Sequence, residues 1–167
     1  MVKSIYNRLL NFLAFRLPGG YSVRPNLQKM RGVNIGNHVW LSPMIYIDEN
    51  HPEAISIGNN TAIGIRTTIF AHFYSGPKRS SEHAKPVIIE DDVFIGPHCV
   101  ILPGTHIGKG AVIQAGTTIT HTVPSYTLWG PPKAGPIAKV TVPCPHFHTA
   151  EEFVKGLRPI RNKKQVS

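Results

Sequence analysis

A period of six residues is the strongest constraint in this chain of 167 residues. Isoleucine or leucine recurs at that spacing in three series, at Ile35, Leu41 and Ile47, at Ile57, Ile63 and Ile69, and at Ile89, Ile95, Ile101, Ile107, Ile113 and Ile119. The residue four positions further on is repeatedly small or β-branched, and glycine directly follows the isoleucine at Gly36, Gly58, Gly64, Gly96 and Gly108. Period six fits neither an α-helix nor an alternating hairpin, but it fits short strands joined by tight turns.

Three such strands would close one triangular coil, and stacked coils would bury the large residues as a central column. Each strand then pairs with the strands above and below it, so contacts between neighbouring coils hold the solenoid together. We expect the small residue to lie near a corner and the glycine to supply the backbone angles that a turn needs. The repeat therefore predicts an all-β solenoid.

Two interruptions break the repeat at the same corner of the coil, between the third strand and the first. Ile47 and Ile57 are ten residues apart, and Ile69 and Ile89 are twenty apart, where six are expected. Two loops, at 48–56 and 72–86, are therefore predicted to project side by side. Loops raised on a rigid scaffold often carry binding and catalytic residues, so this corner is the predicted site.

Over roughly residues 33–140 the repeat resembles that of the hexapeptide-repeat acyltransferases, such as the galactoside or maltose, xenobiotic and polysaccharide-biosynthesis O-acetyltransferases. The resemblance implies a left-handed parallel β-helix, whose handedness the repeat itself does not indicate. It also implies acetyl-CoA as donor, no metal, and a homotrimer with active sites between subunits. Exposed Ile65, Ile88 or Val112 would contribute to the three-fold interface.

Residues 69–75, Ile-Phe-Ala-His-Phe-Tyr-Ser, are similar to the family segment in which a histidine after the last strand before the loop is the catalytic base. The resemblance implies that His72 is a general base for direct acetyl transfer to a hydroxyl or amino group of a sugar-like acceptor, with His51 and His83 as the alternative bases. Asp48 and Glu49 are the candidates to hold its opposite ring nitrogen. Relatives often carry Asp where this chain has Phe73. The predicted acceptor-binding residues are Asp48, Glu49, Asn50, His51, Tyr74 and His83.

The donor site follows from the same resemblance, because the family lays its coenzyme along the later coils and the loop after them. The matching residues are Pro97, Ala115, Gly116, Thr120, His121, Trp129, Gly130, Lys133 and Lys139. Relatives usually carry Lys where His121 stands, and each lysine is either a phosphate contact or simply solvated. Cys99 occupies a small inward position, which predicts an inert core thiol rather than an acyl carrier, and Cys144 lies in a proline-rich tail.

The repeat also divides the chain into an N-terminal amphipathic capping helix within 1–20, a β-helix domain at 21–142, and a C-terminal short helix and basic tail at 143–167. Helical spacing over 3–17 groups Val2, Ile5, Leu9, Phe12, Leu13 and Arg16 on one face. That face either covers the open edge of the first coil or makes weak contact with a membrane surface. Thr149 and Glu152 form a capping-box pattern for the C-terminal helix.

The composition favours some classes of binding partner but does not identify a single one. The net charge of +9 favours phosphates, acidic lipids or other anions, although part of it lies at the chain ends and suits a solvated tail. Nucleic acid is not expected. No apolar run is long enough to span a membrane, no signal-peptide cleavage site follows the first residues, and two cysteines form no metal-like spacing. These features predict a cytoplasmic protein.

Two other functions remain open. A zinc enzyme of the γ-carbonic anhydrase type shares the solenoid, but it needs two histidines five residues apart, and that spacing does not occur in the sequence. A non-catalytic scaffold could bind acidic polymers or a membrane surface through the basic ends, and the fold alone does not exclude it.

Overall fold

A computed structural model describes residues 2–72, 84–131, 138–141 and 150–159 of the chain. Several predicted site residues lie outside these ranges: Tyr74 and His83 of the second loop, and Lys133 of the donor site. Cys144 and the side chain of Lys139 are likewise not described. The chain forms two compact units, Met1–Pro131 and Pro132–Ser167.

Two helices precede the solenoid, α1 at Val2–Arg16 and α2 at Val23–Met30. The solenoid strands are β1 Asn34–Ile35, β2 Trp40–Leu41, β3 Tyr46–Ile47, β4 Ile55–Ile57, β5 Ala62–Ile63, β6 Thr68–Ile69, β7 Val87–Ile89, β8 Phe94–Ile95, β9 Val100–Ile101, β10 His106–Ile107, β11 Val112–Ile113, β12 Thr118–Ile119 and β13 Leu128–Trp129. A short 3-10 helix, Pro52–Ala54, lies in the first loop.

These strands form three parallel sheets, one on each face of the prism. Sheet A runs β1-β4-β7-β10, sheet B runs β2-β5-β8-β11-β13, and sheet C runs β3-β6-β9-β12. The chain passes from A to B to C in every coil, so strands adjacent in a sheet belong to successive coils. The predicted parallel β-helix is confirmed in this topology, and the family's left-handed form fits it.

The isoleucine column is the core. All twelve Ile and Leu positions of the repeat are buried, with the isoleucines from Ile89 to Ile119 at most 1% exposed. The small residues four positions further on, such as Thr67 and Ala111, are buried with them. Burial of a full isoleucine side chain is worth about 1.5–3 kcal/mol, so the column is the main source of stability of the solenoid.

The glycines that follow the isoleucines have a different role from the predicted one. None of them has a positive φ; a Cβ added at Gly64 would lie 2.5 Å from the backbone nitrogen of Pro97, and one at Gly96 would lie 2.6 Å from that of Ala115. They therefore permit close stacking of coils. The left-handed turn conformation falls three residues after the inward position, at His38, Met44, Asn60, Arg66, Asp92, His98, Gly104, Gly110, Gly116 and Tyr126.

The N-terminal helices pack on the first coil, but not through the predicted face. Ile5, Leu9 and Phe12 are exposed, whereas Leu10 and Ala14 of α1 are buried. The predicted helix is observed. Of the two alternatives for its apolar face, covering the first coil is wrong, because the stripe that packs inward is another one and includes the polar residue Asn11. None of the described helices is long and apolar enough to span a membrane.

The segment after α1 satisfies the edge of strand β2. The backbone N–H of Leu41 donates to Gly20 O at 3.0 Å, and Leu41 O accepts from Arg24 Nε at 2.7 Å. Helix α2, which the sequence analysis did not predict, supplies that arginine. These bonds occupy strand groups that would otherwise be open to pairing with another chain.

The C-terminal unit contains strand β14 at Ala138–Val140, helix α3 at Ala150–Lys155 and strand β15 at Leu157–Pro159. Strands β14 and β15 pair antiparallel. Residues 138–140 therefore do not continue the solenoid, although the predicted β-helix bounds of 21–142 included them.

Candidate active site

Both predicted loops leave the solenoid at the corner between sheets C and A. Strands β3 and β6 pair in register, Ile47 with Ile69, so the residues that follow them are stacked. The backbone N–H of Asp48 donates to Ile69 O at 3.0 Å. The first loop therefore lies directly against the start of the second, where His72 is located.

Asp48 accepts most of the hydrogen bonds that hold this corner together. Its side chain is fully buried, and its Oδ2 accepts from the backbone N–H of Ala71 at 2.8 Å while its Oδ1 accepts from that of Asn50 at 2.9 Å and of His51 at 3.2 Å. Burial raises the pKa of the Asp48 carboxyl, but these amides together with His72 outweigh it and hold the pKa below its usual range. The carboxylate is therefore ionised at neutral pH despite its burial.

His72 pairs with this carboxylate. Its Nδ1 lies 2.6 Å from Asp48 Oδ2, and the residue is 8% exposed. An ionised carboxylate only accepts hydrogen bonds, so Nδ1 carries a proton and, in the neutral ring, Nε2 is the proton acceptor. The amide Nδ2 of Asn50 lies 3.4 Å from Nε2, in the orientation of a weak donor. This arrangement has the geometry of an oriented general base.

Of the other first-loop residues, His51 contacts His72 and Glu49 contacts helix α1. The ring of His51 lies edge-on to that of His72, with centroids 5.5 Å apart, and its Nδ1 is 3.4 Å from Glu53. Glu49, the other predicted partner of His72, turns to α1 instead: it accepts from Asn11 Nδ2 at 3.3 Å and lies 3.8 Å from Arg8. Asp48 is thus the carboxylate that orients His72.

Behind Asp48 lies a buried polar cluster that the sequence analysis missed. Arg31, at the end of α2, donates from Nη2 to the backbone O of Asp48 at 2.6 Å and to Ile47 O at 3.2 Å. Its Nη1 contacts Asn11 Oδ1 at 2.9 Å and Gln28 Oε1. Burial lowers the pKa of the Arg31 guanidinium, opposed by Glu49, Tyr46 and Asp48. The signal in the sequence was Asn11, a polar residue that interrupts the apolar run of residues 9–15.

The solenoid residues that are predicted to bind the acetyl donor lie at the two edges of sheet C. Pro97 and Gly116 stack at the corner between sheets B and C, where Gly116 N donates to Pro97 O at 2.9 Å, and Ala115 lies beside them. A Cβ at Gly116 would meet no atom within 4 Å. This corner is narrow and open, so an extended ligand can approach its backbone.

The other residues predicted to bind the acetyl donor lie at the other edge of sheet C and at the end of the solenoid. Thr120 and His121 follow β12 at the His72 corner, with Thr120 Oγ1 2.8 Å from His121 Nδ1. Trp129 takes the inward position of the last coil, packs partly against the core, and contacts the His121 ring at 5.6 Å. The side chain of Gln114 covers Gly130.

Comparison with known proteins agrees with this architecture. Residues 86–121 match the family model described as bacterial transferase hexapeptide (six repeats). The protein YvoF of Bacillus subtilis (strain 168), named as an acetyltransferase, is 41% identical over 98 residues, which is 59% of this chain and 55% of that protein. A Staphylococcus aureus (strain bovine RF122 / ET3-1) protein, named 2,3,4,5-tetrahydropyridine-2,6-dicarboxylate N-acetyltransferase, is 44% identical over 80 residues, 47% of this chain and 32% of that protein.

Among solved structures, a hexapeptide-repeat acetyltransferase of Vibrio cholerae O1 biovar eltor in complex with acetyl coenzyme A matches with a TM-score of 0.58 and 23% identity, over 78% of this chain and 82% of that one. A galactoside acetyltransferase in complex with coenzyme A matches with a TM-score of 0.54 and 24% identity, over 74% of each chain. At these identities the likeness shows the fold.

The chain spans about half or less of the length of these two curated relatives, 55% of one and 32% of the other. What is shared is the repeat, and it is shared with proteins named as acetyltransferases. From its repeat, its parallel β-helix and these relatives, we conclude that the chain contains the bacterial transferase hexapeptide repeat and resembles hexapeptide-repeat acetyltransferases in fold.

Proposed function

We propose that this protein is an acetyl-CoA-dependent acetyltransferase that acts on a hydroxyl or amino group of a sugar-like acceptor, with His72 as general base. The observation that carries the proposal is the buried Asp48–His72 pair, 2.6 Å apart, at the corner from which both loops leave the solenoid. Relatives named as acetyltransferases support the class of reaction, and solved relatives in complex with coenzyme A support the donor.

In the proposed reaction, His72 Nε2 takes the proton of the acceptor hydroxyl or amine as its oxygen or nitrogen attacks the thioester carbonyl. The new C–O or C–N bond forms, the C–S bond breaks, and the proton passes to the departing thiolate. The products are the acetylated acceptor and free coenzyme A. Asp48 stabilises the imidazolium that forms in between and keeps the ring in the required tautomer.

Direct transfer is favoured over an acyl-cysteine route. Cys99 is fully buried, and burial raises the pKa of its thiol, partly opposed by the Thr117 and Gly116 amides. A thiol without access to solvent and with a raised pKa is a poor nucleophile. Cys99 thus matches the predicted core role.

The proposal is tested by incubating the protein with acetyl-CoA and a panel of sugars, nucleotide sugars and amino compounds, and following release of the coenzyme A thiol. Acceptor-dependent release is the expected result. Release without an acceptor would indicate only hydrolysis, and no release with any acceptor, together with a tightly held zinc ion, would favour the hydrolytic zinc enzyme instead.

The corner between sheets B and C, where acetyl-CoA is predicted to bind, leads to a prediction for Gly116. It has φ +72, and a Cβ added there would have no neighbour within 4 Å; asparagine tolerates such a φ, so Gly116→Asn adds a side chain to the open corner without disturbing the coils. Calorimetry should show wild-type binding of coenzyme A in the micromolar range, about −8 kcal/mol, weakened by roughly tenfold or more in the variant. An unchanged affinity with an unchanged Tm would place the coenzyme elsewhere.

The homotrimer belongs to the same proposal and is supported by one face of the prism. The outward residues of sheet B form an unbroken apolar column, whereas the outward columns of sheets A and C are interrupted by polar residues. In register, the column is Trp40, Ala62, Phe94, Val112 and Leu128. Val112 was among the predicted interface residues; Ile88 is exposed on sheet A, and Ile65 is half-buried.

We therefore predict that Phe94→Asp breaks the trimer. Phe94 is 50% exposed at the centre of the column, and a carboxylate there would have to be desolvated at the interface. Light scattering should show the mass fall from three chains to one. Ile88→Asp, on sheet A and 41% exposed, is the matched control and should leave the mass unchanged. The reverse pattern would move the interface to sheet A.

A further inference from the structure

The first part of the chain is uniformly basic. Residues 1–47 contain no Asp or Glu, and the first carboxylate is Asp48. The same segment carries six basic residues, namely Lys3, Arg8, Arg16, Arg24, Lys29 and Arg31. Arg24 and Arg31 are buried and bonded to the first coil, but Arg8, Arg16 and Lys29 are exposed. Helices α1 and α2 therefore present positive charge to the solvent.

The same helices expose an apolar stripe. Ile5, Leu9 and Phe12 follow one another at helical spacing on α1 and are 64%, 54% and 60% exposed. We call these three residues the α1 outer face. Leu17 and Tyr21, just after the helix, are exposed as well. Soluble monomers rarely leave contiguous apolar surface of this kind unless it binds something.

Basic side chains border the α1 outer face. Arg8 is one turn before Phe12, and Arg16 is one turn after it, with its guanidinium carbon 5.8 Å from the centre of the Phe12 ring. Helices of this composition, with apolar side chains flanked by arginine, lie flat at the boundary between lipid headgroups and acyl chains. A second copy of the chain fits less well, because pairing two such segments would bring like charges together.

We propose that the α1 outer face docks the protein on an anionic lipid bilayer. Ile5, Leu9 and Phe12 enter the headgroup region, and Arg8 and Arg16 contact lipid phosphates. The protein lies on the bilayer without crossing it. This inference does not rest on acetyl transfer, because the face is opposite to the buried side of α1 and contains neither His72 nor Asp48.

The test is co-sedimentation of the full-length protein with vesicles of phosphatidylcholine mixed with phosphatidylglycerol. We expect binding that weakens with added salt and is lost with phosphatidylcholine alone. The double variant Ile5→Gln/Leu9→Gln should lower the partition coefficient roughly tenfold or more, because two apolar side chains no longer enter the bilayer. Ile88→Gln, which removes an exposed aliphatic residue from sheet A, should bind like wild type.

Two variants that each remove one positive charge distinguish local contact with the bilayer from an effect of net charge. Arg8 and Lys109 each lie in a surface ion pair, at 3.8 Å from Glu49 and 3.5 Å from Asp92 respectively. Arg8→Gln should weaken binding about fivefold, whereas Lys109→Gln should change it little. Equal effects of the two would overturn the proposal, as would wild-type protein that stays in the supernatant.

Light scattering without vesicles provides the last control. The Ile5→Gln/Leu9→Gln variant should keep the wild-type mass and its acetyl-CoA turnover with a soluble acceptor. A change of mass would show that the α1 outer face contacts another copy of the chain, and the bilayer proposal would be wrong whether or not the protein transfers acetyl groups.

Discussion

Replacing His72 with alanine should lower turnover by roughly 10²–10⁴-fold, the usual contribution of a positioned proton acceptor. The residue is 8% exposed and its ring is held by Asp48 at 2.6 Å, so the position of the ring is fixed before the acceptor arrives. The solenoid core contains none of its atoms, and folding and coenzyme A binding should therefore persist. Steady-state kinetics should show the loss in kcat, with the KM for acetyl-CoA nearly unchanged.

His51→Ala is the matched control. The centre of its ring lies 5.5 Å from that of His72 in the same corner. Its Nδ1, however, lies 3.4 Å from the exposed carboxylate of Glu53, whereas His72 is paired with a buried carboxylate. We expect a change in the acceptor KM at most. If His51→Ala abolishes turnover and His72→Ala keeps it, the base is misassigned, although acetyl transfer itself could still be correct.

Much of the fold could be predicted because the repeat is encoded at every coil. Twelve positions of the sequence carry Ile or Leu at the same spacing, and each indicates the same buried environment. A polar residue at one of them would have stood out against the other eleven. The position of the two loops followed from counting, since an insertion between Ile47 and Ile57 must leave at the same corner as one between Ile69 and Ile89. The resemblance then assigned the role of base to His72, which the count had already put at that corner.

The parts that could not be predicted depend on single contacts. Helical spacing identified α1, but Leu10 and Ala14 face inward because Asn11 between them bonds to Arg31 and Glu49, and hydrophobic periodicity does not report such bonds. Helix α2 has few apolar residues, and its buried Arg24 and Gln28 look like surface residues in the sequence. The choice between Asp48 and Glu49 likewise depended on one residue of register.

That choice gives the second large prediction. Asp48→Asn should lower turnover by roughly 10²–10⁴-fold, because the carboxylate accepts four hydrogen bonds, from the backbone of Ala71, Asn50 and His51 and from His72. If the amide NH₂ takes the place of Oδ2, it faces the Ala71 N–H and forces His72 Nδ1 to accept. Nε2 then carries the proton and is no longer a base. If it takes the place of Oδ1, two backbone donors lose their acceptor.

Either orientation also costs about 1–3 kcal/mol for a buried donor without an acceptor, so thermal unfolding must be measured beside the kinetics. The matched control is Glu49→Gln, which changes the adjacent carboxylate but touches only the exposed contact with Arg8 and the bond from Asn11. It should keep turnover within a few-fold of wild type, because it leaves the His72 tautomer alone. A variant of Asp48 that stays folded and keeps full turnover would show that the 2.6 Å pair holds the loops together without tuning the base. A collapse of turnover in Glu49→Gln would instead assign the orienting charge to the other carboxylate.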